Sequence, residues 1–217
     1  MTTFPLMTAI LLMPLIGMLV LCFLPKEQEK AIKNIAAVAM MMALGMTIYA
    51  YVNYDFSIGG MQFTQSIPWI TDLGVNYAVG VDGISLPLLF LTNLIGLAAV
   101  FSSWNVVDRV KEFFVLLLIL IAGVAGTFIA CDLFIFLLCY ELVVIPIYIM
   151  VIMWGSTKRV TKEYAGMKLT IYLLLGSAFM LVGVVALYLQ AFPAEYRTFD
   201  MNLLAQAHLY GSLREPF

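Results

Sequence analysis

The sequence predicts an all-α fold, a polytopic membrane helix bundle of six transmembrane helices with its N-terminus outside. Three observations predict it. Of the 217 residues, 64% are hydrophobic and only 11% are charged, with a mean hydropathy of +1.03, whereas a soluble domain carries about 25% charged residues. Six apolar runs are each long enough to cross a bilayer. The basic residues gather in alternate connections between those runs.

The runs are Pro5–Leu24, Ala31–Val52, Gly83–Trp104, Phe113–Ala130, Leu133–Trp154 and Leu169–Gln190. Each matches the roughly 20 residues that a spanning helix needs. Lipid satisfies no backbone N–H or C=O, so such a run closes its own hydrogen bonds as a helix. The first run has no basic segment before it and no small-residue cleavage pattern after it, and reads as a retained span rather than a signal peptide.

Lys26, Lys30 and Lys33 follow helix one, Arg109 and Lys111 follow helix three, and Lys158, Arg159, Lys162 and Lys168 follow helix five. These are nine of the eleven basic residues; Arg197 and Arg214 lie in the tail. The positive-inside rule then puts the odd-numbered connections in the cytoplasm. Trp104 and Trp154 mark the cytoplasmic interface and Trp69 the outer one.

The connection 53–82 is long and holds no Lys or Arg. Gly59-Gly60 is a turn signal, and Val75, Tyr77, Val79 and Val81 alternate at period two, so a short strand or hairpin is expected there. Asp82-Gly83 closes it and caps helix three. Helices four and five are joined only by Ala130-Cys131-Asp132 and must form a tight antiparallel hairpin. Ala122 and Gly126 make a small-xxx-small pair that permits close approach. Asp132 reads as the N-cap of helix five, with a functional outer acid as the alternative.

Helix five carries the sharpest signal. Glu141 is its one ionisable side chain deep in the run, nine residues beyond Asp132. At about 1.5 Å per residue that is roughly 13 Å in, close to the middle of a hydrocarbon core about 30 Å thick. A charge there costs roughly 3 kcal/mol on insertion scales, so an intramembrane carboxyl marks an ion or proton site. The bland alternative is an acid kept for helix–helix hydrogen bonding. Pro146 removes the hydrogen bond to the Leu142 carbonyl, so the helix should bend there and could hold water beside Glu141.

Residues 155–168 enter helix six as a polar first turn or two. Lys168 is a candidate relay partner for Glu141, but it starts at the cytoplasmic edge while Glu141 lies roughly 15 Å deeper, beyond the reach of a direct salt bridge. Two readings stand for it, a water-linked relay and a snorkelling interfacial anchor. The tail 191–217 is polar; residues 202–209 could form a short amphipathic helix that carries the only histidine, His208, as a surface residue.

Several classes are excluded. The net charge of −2 leaves no basic footprint for nucleic acid. Cys22, Cys131 and Cys139 have neither disulfide parity nor metal spacing. No phosphate loop, nucleophile elbow, haem motif or flavin motif occurs, so no cofactor and no redox centre is expected in this chain.

Three stretches resemble one family. Residues 77–92, Tyr-Ala-Val-Gly-Val-Asp-Gly-Ile-Ser-Leu-Pro-Leu-Leu-Phe-Leu-Thr, are similar to the helix-three entry of the NuoM/NdhD-type (subunit 4) antiporter-like subunit of respiratory complex I. Residues 140–148, Tyr-Glu-Leu-Val-Val-Ile-Pro-Ile-Tyr, followed by Trp154-Gly155, resemble its helix-five motif. Residues 165–172, Ala-Gly-Met-Lys-Leu-Thr-Ile-Tyr, followed by Gly176-Ser177, resemble its helix-six entry. Tyr140 stands where the family usually has Trp, and the usual Phe after the lysine is missing.

The resemblance implies a larger antiporter-like fold of which this is the six-helix N-terminal part, 1–190, with 191–217 a tail or a connection to a seventh helix. It implies a proton-pumping role in an NADH:quinone oxidoreductase of the cell inner (cytoplasmic) membrane. Other membrane subunits, including neighbouring antiporter-like ones, and the lipid bilayer would be the partners. It also supplies a partner for Glu141, a buried lysine of helix seven beyond residue 217, with Lys168 as a second relay element. The competing readings are a subunit of an Mrp-type Na+/H+ antiporter or a membrane-bound hydrogenase, and a non-catalytic membrane scaffold.

Overall fold

A computed structural model describes residues 5–155, 159–193 and 197–205. Six long helices run up and down: α1 (Leu6–Phe23), α2 (Glu29–Asn53), α3 (Ser85–Ser102), α4 (Val110–Ile129), α5 (Leu133–Trp154) and α6 (Arg159–Gln190). A short α7 follows, Met201–Ala205; the rest of the expected amphipathic helix, with His208, lies outside the described residues. Between α2 and α3 an antiparallel hairpin pairs β1 (Gln62–Ile70) with β2 (Val75–Val81).

α4 is the most enclosed helix and packs against α1, α2, α3 and α5. Phe114, Leu118, Leu21, Ile32 and Met40 fill one half of the bundle; Met7, Ile10, Leu86, Leu89 and Ile129 fill the half under the hairpin. α4 meets α5 most closely at two glycines. A Cβ on Gly126 would sit 2.6 Å from Cys139 Sγ, and one on Gly123 would sit 2.6 Å from Val143 Cγ2. Gly126 belonged to the expected pair; Gly123 did not. In lipid such close backbone approach replaces the hydrophobic drive that water would supply.

The hairpin end of the bundle is a backbone mesh. Cys131 N–H donates to the Ala78 carbonyl at 2.9 Å, Leu133 N–H to Phe199 O at 2.9 Å and Met201 N–H to Cys131 O at 3.0 Å. The α4–α5 link thus lies extended between β2 and residues 199–201. Gly74 closes the hairpin turn at φ 67°, and a Cβ there would also strike the Arg197 carbonyl. Asp82 caps α3: its Oδ1 accepts from Ile84 and Ser85 N–H, and its own N–H donates to Ser85 Oγ at 2.9 Å.

The opposite end is held by lysines. Lys111 Nζ donates to the Cys22 and Leu24 carbonyls at the end of α1, Lys33 to Trp104 and Val106 beyond α3, and Lys162 to Met153 at the end of α5. Each ammonium sits at the negative pole of a helix dipole and satisfies carbonyls that the helix itself leaves open. Lys26 and Glu112 form an exposed ion pair at 2.7 Å.

α6 begins at Arg159, ten residues before the apolar run that starts at Leu169. Its polar lead-in is therefore nearly three turns at about 3.6 residues per turn.

Candidate functional site

α5 is positioned at both ends and clamped along one side. Asp132 is its N-cap, accepting from Phe134 N–H at 2.8 Å and Ile135 N–H at 3.4 Å, and it takes the Asn76 N–H as well. At the far end Trp154 Nε1 donates to the Asp108 carbonyl at 2.9 Å. Cys139 and Val143 face α4, as the glycine contacts require. The helix runs unbroken through Pro146, which is buried.

Glu141 is two residues from both Cys139 and Val143, and at about 100° per residue it projects roughly 200° away from the α4 contact. It is half-buried. Tyr148 and Ile152, seven and eleven residues on, share its stripe. Both touch Gly166 of α6, where a Cβ would lie 2.7 Å from Ile152 Cγ1 and 3.7 Å from Tyr148 Cδ2. Glu141 therefore sits at the margin of the α5–α6 contact. On its other flank Leu138, Leu142 and Ile145 are exposed. Among the described residues the Glu141 carboxyl has no hydrogen bond or ion pair.

Counting along the antiparallel pair gives the level of α6 that matches Glu141. Walking the same seven and eleven residues along α6 from Gly166 reaches Leu173 and Ser177. Ser177 is buried, 4% exposed, and its hydroxyl donates to the Leu174 carbonyl. Sequence reading did not single Ser177 out beyond the Gly176-Ser177 motif.

Lys168 is not brought to Glu141. It falls short of that level by five to nine residues, about 7–14 Å of helix. It is also two residues from Gly166, so its side chain leaves α6 roughly 200° from the face that meets α5. It is exposed, with Nζ 5.9 Å from the Tyr164 ring centroid and 5.8 Å from that of Tyr172. Two tyrosines one turn either way give the ammonium cation–π partners.

A buried polar pair that the sequence reading missed joins α2 to α3. Asn93 Nδ2 donates to Thr47 Oγ1 at 2.9 Å, and Thr47 Oγ1 donates to the Ala43 carbonyl at 2.8 Å. Asn93 Oδ1 is buried with no partner among the described residues. The available signal was one amide inside the apolar run Leu91-Thr-Asn-Leu94. Among the described residues no three His, Cys, Asp or Glu side chains are grouped to hold a metal ion. Burial pushes the Cys131 thiol up to about 11, away from nucleophile or ligand chemistry.

Six apolar spans define a polytopic membrane protein. Comparison with known proteins finds relatives along nearly the whole chain. The NADH:quinone oxidoreductase/Mrp antiporter transmembrane family matches residues 130–211. The chain is 34% identical over 202 residues to NAD(P)H-quinone oxidoreductase chain 4 1 of Nostoc sp., which spans 93% of this chain and 36% of that protein. It is 35% identical to the chain of the same name in Thermosynechococcus vestitus, over 94% of this chain and 38% of that one. A chain of respiratory complex I from Thermus thermophilus with bound NADH superposes with a TM-score of 0.78 at 25% identity, over 95% of this chain and 40% of that one. A chain of the Mrp complex from Dietzia sp. shares the fold alone, with a TM-score of 0.64 at 13% identity, over 82% of this chain and 19% of that one. Over nearly its whole length the chain is similar to NuoM/NdhD-type (subunit 4) antiporter-like membrane subunits. It spans little more than a third of the length of the curated relatives that it matches.

Proposed function

We propose that this chain is the N-terminal six-helix part of a proton-translocating antiporter-like subunit of an NADH:quinone oxidoreductase, with Glu141 as a protonatable station. The observation that carries the reading is the setting of Glu141: mid-span, half-buried, unpaired among the described residues, and bordered by an exposed strip of α5. A cation brought alongside a carboxyl stabilises its charged form. A lysine carried by sequence beyond residue 217, approaching the Leu138–Leu142–Ile145 strip, would load and unload Glu141 as it moves or changes charge. Charge changes in neighbouring membrane subunits, antiporter-like ones among them, would drive that switch through reciprocal coupling. In this reading the basic end faces the cytoplasm, the N-terminus lies outside, and the assembly sits in the cell inner membrane.

Lys168 keeps two roles. As a relay element it passes protons at the basic end of α6; as an anchor it holds that turn at the interface between Tyr164 and Tyr172. It needs no direct bond to Glu141 in either role. Pro146 has no N–H for the Leu142 carbonyl, which follows Glu141 directly in the chain and would be an acceptor for water on the path.

The test is Glu141→Gln in the assembled complex, with proton pumping and quinone reduction measured together. An amide keeps the shape of the neutral acid, so assembly survives and pumping falls at least about tenfold, the equivalent of roughly 1.4 kcal/mol. Wild-type pumping in that variant removes the proposal, and loss of assembly alone favours a scaffold. The fold shared with the Mrp complex supports a second reading, an Mrp-type antiporter subunit; co-purification with quinone-site and iron–sulfur subunits separates the two.

A further inference from the structure

At the basic end, where α1, α4 and α5 meet, a groove of about 410 Å³ is left unused by the proton relay. Val115 and Leu116 of α4 and Ile149 and Met153 of α5 give it apolar walls. Lys26, Arg109 and Lys111 stand at its mouth, and the same three line an adjoining cavity, also of about 410 Å³. One cationic rim therefore serves a greasy slot and a polar cup.

Among the described residues that line it, the rim carries more positive than negative charge. Glu112 takes Lys26 at 2.7 Å. Lys111 spends its hydrogens on the Cys22 and Leu24 carbonyls, which are neutral. The Arg109 guanidinium has no hydrogen bond or salt bridge among the described residues, and Glu112, already bonded to Lys26, is the carboxylate its charge acts on. Three cations face one carboxylate around the groove, and Glu29 in the adjoining cup still leaves the balance positive. Arg109 also holds a left-handed backbone, φ 51° and ψ 50°, which a non-glycine residue rarely adopts.

We infer that this groove binds an anionic phospholipid, with an acyl chain in the slot and the phosphate on Arg109 and Lys111. Free phosphate would satisfy the cations and leave the slot open. A polypeptide helix would fill the slot but would have to bring its own carboxylate to the Arg109 that it buries. A lipid anion meets both demands, and basic pockets between membrane helices on the cytoplasmic side are suited to anionic head groups. Trp154, beside the groove, sets the height of the membrane–water boundary. The inference is independent of Glu141, so either can fail alone.

The test uses the full-length protein in its native membrane assembly, given phosphatidylglycerol with a photoreactive acyl chain and analysed by peptide mass spectrometry. Wild type cross-links at residues 115–116 and 149–153. Arg109→Gln lowers the yield about fivefold, the worth of one basic residue at an anionic lipid surface. Leu116→Trp, which fills the slot, abolishes the cross-link at 149–153 while quinone reduction is unchanged. Phosphatidylcholine with the same acyl chain labels several-fold less, and inorganic phosphate does not compete. Equal labelling by the two lipids, an unchanged yield in Arg109→Gln, or cross-links from these residues to another polypeptide segment would each overturn the site.

Discussion

The Asp132 carboxyl accepts the Asn76 N–H at 3.1 Å through one oxygen and the Phe134 N–H at 2.8 Å through the other. One side chain, 0% exposed, thus caps α5 and ties it to β2. Asp132→Ala strips three backbone N–H groups of their acceptor. A lost cap costs about 1 kcal/mol, and each buried orphan donor about 1–3 kcal/mol. The thermal midpoint of the detergent-solubilised protein should fall by several degrees, and Asp132→Asn, which keeps an acceptor oxygen, should recover more than half of the loss.

The two caps answer acid in opposite ways. Burial, the largest influence, raises the Asp132 pKa above its ordinary 3.8 despite the three N–H donors. The folded state then binds the extra proton, so this group adds stability as pH falls from its raised pKa toward 3.8, and loses it as pH rises through that window. Hydrogen bonding, led by the Ser85 N–H, lowers the Asp82 pKa below 3.8. Its contribution is complete above 3.8 and is lost as pH falls through the lowered value. Thermal midpoints measured against pH should therefore lose the mild-acid gain in Asp132→Asn and show a weaker strong-acid loss in Asp82→Asn. Parallel pH profiles for wild type and Asp132→Asn would contradict the buried-acid account.

Gly126 and Cys139 set the spacing of α4 and α5. A Cβ at position 126 meets Sγ at 2.6 Å and the Cys139 Cβ at 3.1 Å. Gly126→Ala should cost about 1–3 kcal/mol through overpacking. Cys139→Ala removes the nearer atom and leaves the farther one, so the double variant should recover part of that cost. Strict additivity in the thermal denaturation cycle would show that the two positions do not touch.

Thr47 and Asn93 predict an asymmetry. In Thr47→Val the Asn93 amide loses its acceptor while its Oδ1 is already unpaired. In Asn93→Leu the Thr47 hydroxyl keeps the Ala43 carbonyl, and the orphan oxygen disappears. Interhelical hydrogen bonds in membranes are worth about 0.6 kcal/mol on average. Asn93→Leu should thus be near neutral or stabilising, and Thr47→Val the more harmful of the two, by thermal midpoint.

Much of the bundle is legible in residue order. α5 runs Leu133–Trp154 in the structure, as its apolar run reads, because Asp132 caps one end and Gly155 stops the other. α6 shows the limit. Hydropathy begins at Leu169, yet helical hydrogen bonding begins at Arg159, since the polar turns between them stay helical whether or not lipid surrounds them. Glu141 was visible as a lone carboxyl in an apolar run, whereas the Asn93 amide was not singled out. The side to which Lys168 turns was also hidden, because depth along a helix can be counted from residue numbers but its azimuth depends on the neighbouring helix.

What the residues determine alone is the number of spans and the isolation of Glu141. An apolar backbone in oil has only one way to close its hydrogen bonds, and a carboxyl within it stands out against everything around it. Tertiary structure decided which face of each helix turns inward, that lysines cap the ends of α1, α3 and α5, and that Lys168 points away from α5. Helices as apolar on the lipid side as on the buried side carry no stripe to mark the difference. Shape, through Gly123, Gly126 and Gly166, makes that choice, and it exists only once two helices meet.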